Sequence, residues 1–476
     1  MRPCLLKAGC AAGAFPAKYL TKEVKILKNK KIWAYLLLAV VLAGICTYIT
    51  YPGIYYSDSY TRWYLAENIL AGNSENLHNG LSVFPQYIMA LVYKISGEYG
   101  LFSFIQAAAF YFTSFLVIDK LCAKVKWLWL LLFIACPLFY GFSVYLEMSV
   151  GVVVGVNIFI LLALRTSAVL ENGRWSTRFL LMLGYAASYF IIFGFRQNAL
   201  TLVPVMAAVF VAVTAGMEFK KRIFYIAKQC LVIGLIIVFI GKIPYMADYG
   251  KISDLTAKGT VWDVAKTLEK VWDNEEYHDW FDFLGEGATE TLVEKNSHRS
   301  IWGYYDRVPV DYSDKDVTYA INRRFLKLIV NEPKAFVSAK WETIMNVMGV
   351  IQPVDEAEYE YDWCSRGLID NYGVRHSRAR EMFVASYKNF QKAVPVFRMP
   401  YLIYIFVLLL LAVCFKKLDK NTLVQVILLF FGACFYYGAF FITAQSHEFR
   451  YFFPAFYMLC IAAFTILSNI KKEKTR

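Results

Sequence analysis

Apolar residues along this chain gather in long unbroken blocks instead of alternating with polar ones. About ten such blocks, each near the roughly 17 to 22 residues a helix needs to cross a ~30 Å hydrocarbon core, fall at 32–51, 101–118, 127–146, 148–164, 179–195, 199–217, 223–241, 401–415, 423–442 and 451–467. The fourth and eighth are short. This pattern predicts an all-α polytopic membrane protein of about ten transmembrane helices.

Two stretches between blocks are too long to be plain connectors, and insertions of that size usually bind or catalyse. The first, 51–100, opens Tyr51-Pro-Gly-Ile-Tyr-Tyr-Ser-Asp-Ser-Tyr60, where Pro52 and Gly53 end the helix. A short helix is expected over 60–71, capped by Ser57 or Asp58 and closed by Gly72. A second is expected over 86–95, started by Pro85 and too short to span, so it lies in or dips into the interface. The other stretch, 242–400, mixes acidic, basic and aromatic residues. It predicts a small, mostly helical domain resting on the membrane, with helices over 316–329 and 334–348 and an acidic loop at 355–362. The resulting organisation is a basic N-terminal segment 1–31, a membrane module 32–241 with seven spans, the domain 242–400, a second membrane module 401–468 and a basic tail 469–476.

Composition agrees with lipid as the main solvent: 58% of the 476 residues are hydrophobic and 18% charged, with a mean hydropathy of +0.43. The formal charge of +13 is not spread evenly. Lys18 to Lys31 precede the first span, and Lys120, Lys124, Lys126, Arg165, Arg174, Arg178, Lys220, Lys221, Arg222, Lys416, Lys417, Lys420 and Lys471 to Arg476 follow on the same side. An even number of spans with this bias puts both termini in the cytoplasm of a multi-pass plasma-membrane protein and both long loops outside. The excess charge is then a matter of orientation and anionic-lipid contact, and nucleic acid is not an implied partner. Most of the ten cysteines sit within spans, without C-x-x-C spacing, so neither a disulfide framework nor a zinc site follows.

The candidate chemistry falls at the outer ends of the spans. Asp58 follows the first span in an aromatic setting that would raise the basicity of a carboxylate, which suits a general base, and an N-cap role is compatible with it. Glu147 stands alone in a tight outer turn between apolar stretches, either solvated or at work. Together Asp58 and Glu147 could hold a divalent cation (Mg or Mn) through oxygen ligands, or divide acid and base roles. Arg196, in Gly194-Phe-Arg-Gln-Asn198, and Arg450, in Ser446-His-Glu-Phe-Arg-Tyr451, sit where guanidiniums either snorkel to headgroups or grip a lipid phosphate, with His447 beside the second. All five histidines are external by this topology, none with zinc spacing. Trp272, Trp280, Trp302 and Trp341 are candidates for sugar stacking or for packing. No P-loop, nucleophile elbow or dinucleotide fingerprint is visible.

Taken together, Asp58 soon after the first span, Phe84-Pro85, the lone Glu147, Arg196-Gln-Asn198 and Glu448-Phe-Arg-Tyr-Phe-Phe-Pro454 resemble the GT-C superfamily of polyprenyl-phosphate-dependent membrane glycosyltransferases, in the group that includes the protein mannosyltransferase-like enzymes. The resemblance implies a GT-C-like fold and transfer of a sugar from a polyprenyl-phosphate-linked donor to an extracytoplasmic acceptor. It implies Asp58 as base, Glu147 as a second acidic residue that some relatives use for a metal, and Arg450, His447 and Arg196 at the donor phosphate. Many relatives have His-Pro where this chain has Phe84-Pro85, and paired acids where Asp58 stands between serines. Two other readings remain. A ligase or polymerase of lipid-linked glycans would use external arginines without needing Asp58, and a transporter or flippase would carry polar or broken helices at mid-bilayer.

Overall fold

In the computed structural model of the 476-residue chain, the described residues are 30–55, 57–146, 148–296, 308, 310–351, 372–395, 399–443 and 448–471. Among them every regular element is a helix, and pairing between extended segments is confined to two isolated parallel bridges. Eight helices are long and apolar enough to cross a bilayer: Lys30–Thr50 (α1), Gly100–Leu121 (α4), Ser149–Asn172 (α7), Trp175–Phe195 (α8), Phe219–Met246 (α10), Pro400–Lys417, whose α-helical part is Pro400–Cys414 (α16), Lys420–Ile442 within Lys420–Thr443 (α17), and Phe449–Asn469 (α18). Their intrahelical hydrogen bonds satisfy the backbone groups inside lipid, which only helices and closed barrels achieve, and their apolar side chains suit the hydrocarbon.

Two of the ten expected spans differ in form. The third breaks into Lys126–Ala135 (α5) and Pro137–Ser143 (α6), bent by 65°. Cys136 is extended between them because a residue before proline is sterically barred from the helical region. The sixth is a 3₁₀ turn, Gln197–Leu202, followed by Val203–Val213 (α9), shorter than a full crossing. The fourth, expected to be short, runs to 24 residues.

The centre of the bundle is α18, with 78% of its apolar window buried, whereas α10 at 11% is peripheral. A buried polar network joins α4, α7 and α18: Asn157 donates to Thr113 Oγ1 and Ser114 Oγ, each at 3.2 Å, and accepts from Tyr457 OH at 2.9 Å. Side chains of this kind act as glue between helices where no water competes. At one end of the bundle Lys31 and Lys126 converge on Asp119, and Lys124 reaches the Ile470 carbonyl. At the other end lie the two long insertions.

The first insertion holds Ser57–Ala71 (α2), which starts three residues earlier than expected and closes at Gly72 with φ +74°, and Val83–Ser96 (α3), closed by Gly97. The second holds Leu255–Glu269 (α11), Ala288–Glu294 (α12), Lys315–Asn331 (α13), Pro333–Val347 (α14) and Arg378–Ala393 (α15). Asp314 caps α13 by accepting from the Asp316 and Val317 amides, and Pro333 opens α14, where its missing donor costs nothing. The expected acidic loop 355–362 lies outside the described residues. On α14, Lys340 donates to the last-turn Ile442 carbonyl of α17 at 3.0 Å, and Tyr437 OH donates to the Val347 carbonyl. The domain is therefore pinned to the bundle.

Arg380 on α15 is fully buried. Its guanidinium donates to the Thr50 and Gly53 carbonyls, the latter at 3.0 Å, and so satisfies the end of α1 where the helical ladder runs out. Arg380→Met is expected to lower stability by about 2–4 kcal/mol, because it strands buried carbonyls that a charged donor now serves. A detergent melt of the variant that matches the wild type would contradict that role.

Lys266 on α11 is equally buried, over the Trp262 ring at 3.3 Å and donating to Thr343 Oγ1 at 2.8 Å. Burial pushes its ammonium down from 10.5 to about 7. The unfolded chain therefore holds this proton over a pH range where the folded protein has released it, and stability rises as pH climbs from about 7 toward 10.5, the burden being fully present below 7. Lys266→Met is expected to raise the melting temperature more at pH 7 than at pH 9.5. An equal shift at both pH values would show that the lysine is not neutralised in this window.

Candidate functional site

At the insertion-bearing end of the bundle, the first loop, the third-to-fourth turn and the start of the last span are tied to one another. Gly53 makes this possible: its φ is +141°, and a Cβ there would lie 3.0 Å from Leu146 Cγ and from Ser103 Oγ, so only glycine lets the chain turn against that wall. Beyond it, Ile54 exchanges backbone hydrogen bonds with Val144 and Leu146, at 2.9 and 3.0 Å. Ser59 Oγ donates to the Leu146 carbonyl at 2.8 Å, and Ser149 Oγ donates to the Arg450 carbonyl at 2.7 Å. The first turn of α2 and the first turn of α18 are thus fastened to the two flanks of one short segment.

Asp58 sits in that first turn of α2, inside the helix and not at its cap. Its Oδ2 accepts from Arg450 Nη1 at 3.0 Å across 392 positions of sequence. Arg62, one turn further along α2, brings Nη2 to 3.9 Å from the same oxygen. Both guanidiniums are nearly enclosed, at 6% and 4% side-chain exposure, while the carboxylate keeps 25%. Such enclosure strengthens a charge-assisted pair over what the same contact is worth at an open surface. Glu448, just before α18, accepts from Arg450 Nη2 at 3.2 Å.

Arg196 ends α8 in an extended conformation and is 8% exposed. Its guanidinium carbon lies 5.1 Å from the Tyr451 ring centre, and that of Arg450 lies 5.0 Å from the same ring, so one tyrosine organises both arginines. The end of α8 is set by Gly151 and Gly155 of α7, against which Phe195 and Ile192 press so closely that a Cβ would stand 2.0 and 2.5 Å away. Gly151-Val-Val-Val-Gly155 is a small-x-x-x-small seam that lets the two helices meet. It was legible in the sequence.

Of the five expected site residues, Asp58, Arg196 and Arg450 come together. Glu147 and His447 lie outside the described residues, although Leu146 and Ser149, on either side of Glu147, carry the tethers above. Phe84 packs edge-on against Phe190 and Phe195, at 4.4 and 5.6 Å, and Pro85 is buried, so this dipeptide shapes the wall without offering a polar group. Among the tryptophans, Trp272 stacks on His278, Trp280 is buried with Lys327 over its ring, and Trp341 is exposed. Trp302 lies outside the described residues.

Three contributors escaped the sequence reading. Arg62 could have been found from its i,i+4 spacing to Asp58, and Tyr451 from its place beside Arg450. Lys258, on α11, had no local signal. Burial lowers its pKa and Asp58 raises it again, which places the two within electrostatic reach. Burial likewise lowers His78, and Lys251 and Lys258 lower it further.

Among the described residues no group of three or more His, Cys, Asp or Glu side chains could hold a metal ion. Arg450 Nη1 occupies Asp58 Oδ2, and Glu147, the carboxylate expected to hold a divalent cation together with Asp58, lies outside the described residues.

Fold and site together define a polytopic helical membrane protein with a cationic cluster around one carboxylate at an end of its bundle. No protein-family model, no curated protein and no solved structure matches the chain.

Asp58 and Arg450 are expected to couple: in a double-mutant cycle with Asp58→Asn and Arg450→Met, the paired loss is smaller than the sum of the single losses by about 1–3 kcal/mol. Additive losses would mean that the ion pair does not hold the first loop to the last span.

Proposed function

We propose that this chain is a membrane glycosyltransferase that moves a sugar from a polyprenyl-phosphate-linked donor to an acceptor on the extracytoplasmic face. The observation that carries the reading is the carboxylate of Asp58 held 3.0 Å from Arg450 at the end of the bundle, with Arg196 reaching the same tyrosine. A lipid-linked donor keeps its tail in the bilayer, so its phosphate and anomeric carbon present themselves at this depth and no other.

In this reading both termini are cytoplasmic, because the lysine-rich end with Lys31, Lys124 and Lys126 is the inner one. The eight long helices and the bent pair α5–α6 give up to nine spans, and the reading takes the shorter stretch Gln197–Val213 as the tenth crossing of a GT-C-like arrangement. An acceptor hydroxyl approaches Asp58, which takes its proton as the oxygen bonds to the anomeric carbon. The bond from that carbon to the phosphate oxygen breaks, and its electron pair leaves with the lipid phosphate. Arg450 and Arg196 neutralise the charge that grows there, and because both are largely buried they act as preorganised cations. As the phosphate engages Arg450, the guanidinium shifts its share from Asp58 and frees the carboxylate to act as base. Glu147 and His447, expected from the sequence to take part, lie outside the described residues. No step needs a metal.

A ligase of lipid-linked glycans would share the arginines but not the need for Asp58. A transporter would share the break at Pro137, yet the charged groups cluster at the bundle's end while the mid-depth network around Asn157 is neutral.

With purified protein and polyprenyl-phosphate sugar donors, Asp58→Asn at matched folding is expected to cut sugar release by about 10²–10⁴-fold, the usual share of a general base. Unchanged turnover in the variant would move the chemistry to the ligase reading, and no turnover by wild type with any donor would favour the transporter.

A further inference from the structure

Helices α13 and α14 of the second insertion form a hairpin that packs on α11 and is closed by Phe325 against Phe336, ring centres 5.7 Å apart. Ile321 and Leu328 of α13, and Ala339 and Thr343 of α14, are buried. On an α-helix a residue two positions away points about 200° around the axis. Tyr319, Leu326 and Val330 therefore stand nearly opposite the buried seam on α13, and Val337 and Trp341 do so on α14. These five side chains are 60% to 77% exposed. Large apolar groups gathered in this way on adjoining helices mark a surface that meets something other than water.

The anchors of α14 identify that partner. Lys340 donates to the Ile442 carbonyl in the last turn of α17 at 3.0 Å, and the Met348 carbonyl accepts from the Tyr401 amide in the first turn of α16 at 3.4 Å. Because the short turn 415–419 joins the other ends of these two spans, α16 begins and α17 ends at the same face of the bilayer. Two anchors at one depth lay α14 along that face. Ala339 is turned toward the domain and Lys340 toward the bundle, so Val337 and Trp341, turned away from the domain, are directed at the lipid beside α17. The rim of the bundle there is lipid-facing as well: Ile442, Leu402 and Met399 are exposed, as are Val350 and Ile351 just after α14. Charge agrees with this placement. Lys315, Arg323, Lys327 and Lys334 are exposed on the hairpin against one exposed acid, Asp316, and long basic side chains reach headgroup phosphates while their stems stay on apolar surface. Tyrosine and tryptophan favour the same depth.

We propose that the α13–α14 hairpin docks the second insertion onto the leaflet beside α17. Its apolar stripe lies among the upper acyl chains and its basic residues lie on anionic headgroups, as in amphipathic helices that rest in the interface. The inference is independent of the glycosyltransferase reading.

Its test uses the full-length protein in lipid nanodiscs holding one copy each, with Trp341 emission taken as the difference between wild type and Trp341→Phe. Phosphatidylcholine brominated near the top of the acyl chain is expected to quench that difference by about half or more, while aqueous acrylamide leaves it nearly unchanged. Leu326→Trp, in otherwise wild-type protein, should add a component quenched by the same lipid, which checks α13 through an independent variant. Brominated phosphatidylglycerol should quench at least about twofold more than an equal share of brominated phosphatidylcholine, and Arg323→Gln with Lys334→Gln should remove the excess. Docking on lipid is overturned if acrylamide quenches Trp341 and the brominated lipids do not, which would put the stripe in water. It is overturned equally if Trp341 is shielded from both quenchers in discs holding two copies and open to acrylamide in discs holding one, which would make the stripe a contact between copies of the chain. Equal quenching by the two brominated headgroups would overturn the assignment of the basic residues to anionic lipid.

Discussion

The carbonyl end of α1 is the point on which the rest of this end of the molecule depends. A helix that stops at a membrane surface leaves its last carbonyls without partners, and burying them under a domain makes that deficit costly. Arg380 resolves it from more than three hundred residues away, by donating to Thr50 and Gly53. Arg375 adds its backbone amide to the Tyr51 carbonyl at 2.9 Å. With that end held, Gly53 can turn the chain against Leu146 and Ser103, and α2 starts in one place only. The position of Asp58 is a consequence of this capping, and the first loop cannot be understood apart from the helix at the far end of the second insertion.

Aromatic packing keeps α2 where the capping puts it. Trp63 is fully buried, with Tyr99 edge-on at 5.0 Å, and Tyr372 lies parallel to Tyr55 at 5.8 Å. Rings of this size give much contact for little lost side-chain freedom. The same logic recurs at Tyr451, where one ring orders two arginines whose like charges would otherwise drive them apart. Rigid apolar surface, together with Asp58 and Glu448, makes a concentration of cations tolerable in a poorly hydrated place.

The second insertion does more than cover the bundle. Through Lys340 and Tyr437 it is joined to α17 and through Arg380 to the end of α1. Because that end leads directly into the loop that carries Asp58, movement of the domain would be felt at the carboxylate.

Apolar block length and lysine distribution were enough, on sequence alone, to establish a helical membrane protein with two substantial insertions at one end, because lipid imposes the same length and backbone satisfaction on every span. Gly72 and Pro333 marked helix boundaries for equally local reasons. Asp58, Arg196 and Arg450 were visible as charges out of place in apolar surroundings, and Arg62 was there to be seen at i,i+4. What sequence could not supply was their meeting: the Asp58–Arg450 contact spans 392 positions, and it exists because Ser59, Ser149 and the Gly151–Gly155 seam bring three span ends together. The bend at Pro137 was a local signal overridden by the apolar count. Lys258 and Arg380 had no signature at all, since a basic residue on a soluble-looking helix declares its role only when the fold shows what it is buried against.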